Sequence, residues 1–477
     1  MEIWNVKGKR MDLYFTGHDY KYAAEQMLLT LFPAERPVYP EHAPAGDRAE
    51  IALESGEAVC RLTMHGACFE GRAAVKPFSG QREKARLEQQ AVKLAFYRAG
   101  LAAGVPRPVW GALTGVKPGK LMARYLLEGK QATDFAADFD VSPERAALCE
   151  RTTRSALAAK ASLQPGDIGL YVGIPFCPTR CAYCSFISSA VGANEKLMEP
   201  YLQALLTEIR QTGKAVREAG QRPVALYFGG GTPTTLTAEQ LEVLCASLEE
   251  SFDLSALREY TVEAGRPDTI TAEKLAVLAR HGVTRVSVNP QTMSDQVLQA
   301  IGRKHTAQDV IDALALVRKA GAFEVNMDLI AGLPKDTPEG FQKTLETVLS
   351  LDPENVTVHT LAIKNGSFLA QNPETLPDGE AVGQMVDMAA AMLGGAGYEP
   401  YYLYRQKYMS GGFENVGWTR PGQGSLYNLL MMEELCPVVA MGAGASTKLT
   451  GPDGSVQRKM NPKYPKEYIE RMTENGI

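Results

Sequence analysis

At 477 residues the chain is longer than one ordinary core holds, so two or three domains are expected. Its 50 basic and 55 acidic residues leave a net charge of −5, which argues against a nucleic-acid-coating surface. A composition of 45% hydrophobic and 22% charged residues excludes a disordered or fibrous chain. No run of about 18 apolar residues predicts a membrane span, and no apolar stretch after Met1–Lys7 predicts an export signal. Eight cysteines in so long a chain do not make a disulfide scaffold, and a cytoplasmic setting is expected.

In chain order, the first region mixes two patterns. Leu13–Phe15 and Ala58–Met64 alternate as strands do. Gln81–Ala99 sets Leu87, Val92, Leu94 and Ala95 at helical intervals among many charges and predicts an amphipathic surface helix. Val105–Gly119, rich in Pro and Gly, reads as a loop. The basic residues of Gln81–Arg86 and Arg107–Lys120 belong to a solvated face. Residues 1–164 are therefore expected to form an N-terminal α/β domain of the α+β kind, without assignable chemistry.

From residue 170 the pattern changes. Strands are predicted at Leu170–Ile174, Val224–Phe228, Tyr260–Ala264, Arg285–Asn289, Glu324–Leu329 and Asn355–Thr360. Helices are predicted between them at Glu195–Ala219, Ala238–Ser251, Ala272–His281, Ala307–Ala320 and Glu339–Leu351. Strand and helix in alternation mean parallel βαβ units with right-handed crossovers, an α/β fold that curls into a barrel or an open sheet. Six units fall short of the eight of a complete (β/α)8 barrel. After residue 375 come a helical Val382–Leu393 and a Tyr/Gly-rich Tyr398–Gly424. Residues 376–477 are expected to be a smaller C-terminal lobe covering a substrate.

The chemistry concentrates behind the first of these strands. Gly173–Phe186 holds Cys177, Cys181 and Cys184 at C-x3-C-x2-C spacing, with Pro175 and Pro178 to turn the loop. Thiolates are the ligands of iron–sulfur clusters, and three of them leave one iron of a four-iron cluster open to an outside molecule. Zinc competes, although a structural zinc site takes a fourth Cys or His at recognisable spacing. The remaining five cysteines are scattered and read as unliganded thiols. The second strand runs into Phe228-Gly229-Gly230-Gly231-Thr232-Pro233, where glycines let a ligand approach the backbone. The third ends at Glu263, a carboxylate able to accept bonds from a ribose hydroxyl or an ammonium group.

The cysteine motif, with aromatic Tyr183 before its last member, resembles the signature of the radical S-adenosylmethionine (SAM) superfamily. Residues 170–365 carry further motifs in the right order and resemble the oxygen-independent coproporphyrinogen III oxidase/dehydrogenase family. The pattern over the full length is similar to its HemZ-type branch. The resemblance implies a partial, TIM-like (β/α)6 radical SAM barrel over residues 165–375. It implies a 4Fe–4S cluster on Cys177, Cys181 and Cys184, with SAM met by Tyr171, Tyr183, Gly230, Glu263, Gln291, Arg303, Asp328 and Ala362. Gly231 and Thr232 match positions that contact a second SAM.

The implied activity is that of an oxidoreductase of porphyrin and haem biosynthesis. One electron cleaves SAM to methionine and a 5′-deoxyadenosyl radical, and that radical takes hydrogen from a propionate side chain of a porphyrinogen. Two propionates become vinyls, giving protoporphyrinogen IX. An electron donor such as a flavodoxin or ferredoxin would be the partner, and Arg405, Lys407 and Arg420 are candidates for the substrate's carboxylates. Phe186 stands where the oxidases usually carry a further cysteine, and the related haem-chaperone branch also has phenylalanine there. That branch carries a His-Asn-x-x-Tyr-Trp element in its C-terminal region, where none of the six histidines of this chain lies. Haem binding and transfer is therefore the alternative, and a structural metal protein without SAM chemistry is a second one.

Overall fold

A computed structural model describes residues 10–42, 45–115, 117–184, 189–321, 323–363, 369, 376–406, 410–451 and 455–475. Phe186 and Lys407 lie outside the described residues. The chain divides into two compact units, Met1–Pro118 with Arg124–Glu150, and Gly119–Ala123 with Arg151–Ile477. No helix among the described residues is long and apolar enough to cross a membrane.

The first elements are β1 (Arg10–Thr16), α1 (Lys21–Leu31), β2 (Arg36–Val38), β3 (Arg48–Glu54), β4 (Glu57–Met64), β5 (Ala67–Ala74) and α2 (Gln81–Ala102). They are followed by α3 (Pro118–Leu127), α4 (Ala132–Phe139) and α5 (Pro143–Ala161). The first unit is built on a five-stranded sheet of order β2-β1-β3-β4-β5. Met11, Leu13, Ile51 and Leu62 of the strands bury against Met27 and Leu28 of α1 and Val92 and Phe96 of α2. Gly71 permits the close crossing of α2, since a Cβ there would lie 2.2 Å from the Ala95 carbonyl oxygen. The strands and the long helix predicted at Leu13–Phe15, Ala58–Met64 and Gln81–Ala99 are all present.

The second unit runs β6 (Asp167–Ile174), β7 (Phe176–Cys177), β8 (Ser189–Ala190), α6 (Val191–Glu218), β9 (Arg222–Gly230), α7 (Ala238–Ser251), β10 (Glu259–Glu263) and α8 (Ala272–Arg280). It continues with β11 (Arg285–Ser287), α9 (Asp295–Ala300), α10 (Ala307–Ala320), β12 (Glu324–Ala331), α11 (Pro338–Ser350), β13 (Asn355–Thr360) and α12 (Gly379–Gly395). The last elements are β14 (Glu399–Tyr404), β15 (Asn415–Thr419), α13 (Leu426–Glu433), β16 (Val438–Met441), β17 (Ser446–Thr450), β18 (Val456–Met460) and α14 (Pro465–Asn475).

One sheet of order β14-β15-β13-β12-β11-β10-β9-β6-β16-β17-β18 carries this unit. The six predicted strands pair in parallel, and β16 adds a seventh parallel strand beside β6. Strands covered on both faces need no polar alternation, which is why Val224-Ala225-Leu226 reads as a continuous apolar run. Four of the crossover helices start where a side chain accepts from a free amide of the first turn. Thr237, Thr271, Thr306 and Thr337 do this for α7, α8, α10 and α11. The C-terminal region is continuous with the barrel sheet: β15 lies antiparallel on β13 at one end, and β16–β18 extend the other.

Buried Glu259 ties this extension to the barrel. It accepts from the Ser425 hydroxyl at 2.8 Å and from the amides of Leu426 and Tyr427, the free donors at the start of α13. Glu259→Ala strands those donors and is expected to destabilise the second unit by about 3 kcal/mol, read as an earlier urea-unfolding midpoint.

Candidate active site

The C-terminal ends of parallel strands leave backbone groups unpaired and side chains free to converge, which makes that end of the sheet the natural place for a ligand. A cavity of about 360 Å³ lies there. Its wall brings together Cys177, Cys181, Tyr183, Cys184, Gly230, Gly231, Thr232, Glu263, Gln291, Arg303, Asp328 and Ala362, every cluster and SAM residue expected from the sequence except Tyr171. Tyr171 stands behind the wall in a stack of rings. It lies 6.3 Å from Tyr227 and 6.4 Å from Tyr427, which are themselves 4.4 Å apart.

The cysteine loop is laced to the glycine loop. The β6–β9 ladder runs to Ile174 opposite Gly230, and beyond it the amides of Gly231 and Thr232 donate to the carbonyls of Ile174 and Phe176 at 2.7 Å. Gly230 has φ +109°, and a Cβ on Gly231 would sit 2.5 Å from the Phe176 oxygen, so neither position accepts a side chain. The Thr232 hydroxyl lies 3.4 Å from the Cys177 sulfur. Arg266, which sequence reasoning passed over, donates to the Cys181 sulfur at 3.8 Å and to the Thr179 hydroxyl at 3.1 Å, so a buried guanidinium complements thiolate charge.

Arg303 is buried beside this loop. It donates to the Asn289 carbonyl at 2.7 Å and to the Tyr183 hydroxyl at 3.2 Å, while its Nε is a buried donor without a partner. Gln291 holds a left-handed φ of 66°, strained for a non-glycine residue, with its amide on the Asp328 carbonyl and its own carbonyl taking the Ile330 amide. On the far side of the barrel, Asn326 donates to Asp328 at 2.8 Å, and His359 Nε2 stands 3.9 Å from Asp328 Oδ2. Burial would push the Asp328 carboxyl up, but the His359 imidazole standing near it and its bonds with Asn326 and Thr357 outweigh it and hold the group below its ordinary value. Glu263 accepts from the Tyr227 hydroxyl. Burial nevertheless raises it from 4.5 to about 7, and the Asp328 charge adds to the rise.

Arg405 and Arg420 do not reach the described wall of this cavity. Arg405 donates to the Gly412 carbonyl, and Arg420 lies over the Tyr398 ring while pairing with Asp352. Tyr227, Arg266, Asn289, His359 and Tyr404, by contrast, are at the wall without having been singled out. His359 had a sequence signal in Asn355-Val-Thr-Val-His-Thr360, where valines alternate with polar residues as on a strand with one wet face.

The radical SAM superfamily model matches residues 171–348. Over 372 residues the chain is 41% identical to the oxygen-independent coproporphyrinogen-III oxidase-like protein HemZ of Bacillus subtilis, covering 76% of this chain and 74% of that one. The chain belongs to the radical SAM superfamily, in the family of these oxidase-like proteins. This radical SAM protein is also 28% identical to the heme chaperone HemW of Escherichia coli, over 64% of its own length and 76% of the relative. The solved structure of the coproporphyrinogen III oxidase HemN of Escherichia coli, a radical SAM enzyme, aligns with a TM-score of 0.54 at 26% identity, covering 67% of this chain and 72% of that one.

Membership in the superfamily implies a 4Fe–4S cluster and SAM. The residues present fit both. Among the described residues no three His, Cys, Asp or Glu side chains are grouped to hold a metal ion. The three thiols line one cavity wall, where the thiolate ligands of a cluster would be needed. The unpartnered Arg303 Nε and the side-chain-free glycine cradle are suited to a carboxylate and an ammonium brought by a ligand.

Glu263 gives this site a pH signature. A carboxyl whose folded value is raised binds its proton more tightly when native, so its stabilising contribution is full below 4.5 and is lost as pH rises through about 7. In the cluster-free chain, Glu263→Gln is expected to flatten the fall in stability between those values, a difference of at most about 3 kcal/mol, measured by unfolding across pH.

Proposed function

We propose that this chain oxidises coproporphyrinogen III, converting two propionates to vinyls and giving protoporphyrinogen IX. The observation that carries the reading is the convergence of three thiols and the expected SAM contacts on one cavity, in a chain 41% identical to a coproporphyrinogen-III oxidase-like protein.

In this reading Cys177, Cys181 and Cys184 hold the cluster, and Arg266 offsets their charge through Cys181. Gly230 offers its backbone to the SAM amino group, Arg303 turns its free Nε to the SAM carboxylate, and Gln291, Asp328 and Ala362 complete that wall. Glu263 meets a ribose hydroxyl or the ammonium. Gly231 and Thr232 serve a second SAM. When bound, the cluster and SAM supply a radical able to take hydrogen from an unactivated C–H bond. The protein's own contribution is orientation and exclusion of water, because the rings of Tyr171, Tyr227 and Tyr427 close the wall behind the site. The partner would be a small electron donor of the flavodoxin or ferredoxin kind.

Haem binding and transfer is the second reading. Relatives named heme chaperone support it, as does Phe186 in place of a further cysteine. Anaerobic reconstitution separates the two. About four irons per chain, SAM-dependent deoxyadenosine and a vinyl product by mass spectrometry are expected. Stoichiometric haem binding without that product would favour transfer. Cys181→Ala is expected to lower iron to background and abolish SAM cleavage, and retained cleavage would refute the ligand assignment.

A further inference from the structure

The geometry points to His359, seconded by Tyr404, as the point where the cavity takes hold of a carboxylate, here one propionate of the tetrapyrrole. This inference rests on the porphyrinogen reading for the identity of the ligand, and on the wall itself for its chemistry.

A ligand with several carboxylates needs a cation at the wall. Among the described residues lining the cavity, the basic side chains are Arg266, Arg303 and His359. Arg266 is committed to Thr179, Asp268 and Cys181, and Arg303 faces Asn289, Gly265 and Tyr183 on the cysteine side. His359 stands apart from both. It is carried by β13, the last of the six parallel strands counted from β6, which precedes the cysteine loop. Its side chain keeps 26% of its surface accessible, and its Nε2 lies 3.9 Å from Asp328, too far for a made hydrogen bond. An acceptor entering the cavity can therefore share that nitrogen.

Tyr404 supports the same conclusion from β14. Its hydroxyl lies 3.4 Å from His359 Nδ1, and Gln406 Nε2 donates to it at 3.3 Å. The direction of the His359–Tyr404 contact follows the imidazole tautomer, and with Gln406 already donating to the phenol oxygen the phenol proton can turn into the cavity. Burial raises this phenol to about 12, which keeps the proton in place at neutral pH. Two donors, Nε2–H of His359 and O–H of Tyr404, then face one incoming carboxylate beside Asp328. Because Asp328 belongs to the wall assigned to SAM, a propionate held there would lie next to the reacting group.

The test is a fluorescence titration of the cluster-loaded protein with metal-free coproporphyrin III and with its tetramethyl ester, iron content serving as the folding control. The free acid is expected to bind more tightly than the ester. His359→Gln is expected to weaken the acid about tenfold and leave the ester unchanged, since a charge-assisted hydrogen bond is worth about that factor. His359→Arg is expected to restore the preference, and Tyr404→Phe to reduce it by a smaller factor. Equal loss of acid and ester in His359→Gln would reduce the histidine to a packing role and overturn the inference. So would loss of ferric haem binding with coproporphyrin binding intact, which would make His359 an iron ligand. If acid preference depends on His359 while coproporphyrinogen is not oxidised, the carboxylate site stands and the reaction assigned above falls.

Discussion

Two peptide hydrogen bonds past the end of a ladder hold the site together. The β6–β9 pairing does not stop at the strands: Gly231 and Thr232 continue it onto Ile174 and Phe176. The cysteine loop therefore leaves its strand already joined to the glycine loop. A missing side chain makes this possible, because any Cβ at residue 231 would enter the Phe176 carbonyl. Thr232, carried along by the same pairing, arrives beside Cys177. The remaining wall residues are set by the neighbouring strands of the same sheet.

The charges around the cavity divide into two groups. On the cysteine side, two buried guanidiniums face sulfur and backbone oxygen, as a place accumulating thiolate and cluster charge requires. On the opposite strands, Glu263 and Asp328 sit within reach of one another's fields and are pushed in different directions. Glu263, with only a phenol as partner, is raised. Asp328, with an imidazole and an amide, is lowered. Two carboxyls on adjacent stretches of one wall can thus differ in protonation near neutral pH, which suits one to a hydroxyl and the other to a cation.

Much of this was legible because the strands are buried on both faces and the helices between them keep a regular apolar period. Val224–Phe228 and Ala238–Ser251 each identify themselves from their own residues. The site residues were readable as a series through a resemblance, and they occupy one cavity apart from Tyr171. That tyrosine points into the Tyr227–Tyr427 stack, and no local pattern distinguishes a ring at a wall from a ring behind it. Arg266 and Arg303 become comprehensible only in three dimensions, since their partners lie 85 and 120 residues away. Arg405 and Arg420 were nominated for charge alone, and charge does not say that one lies against Gly412 and the other over Tyr398. The strands β14 to β18 were hidden because short, half-exposed segments such as Val456–Met460 carry little periodic signal.

Among the described residues the sheet of the second unit has two ends, at β14 and β18, which do not pair with one another. A sealed eight-stranded cylinder fills its interior with its own side chains. A sheet that stops short of sealing leaves its margin strands free to contribute side chains to a cavity of their own. In this chain β14 supplies Tyr404 to the cavity wall and Gln406 follows it, so one margin of the sheet is itself part of the cavity.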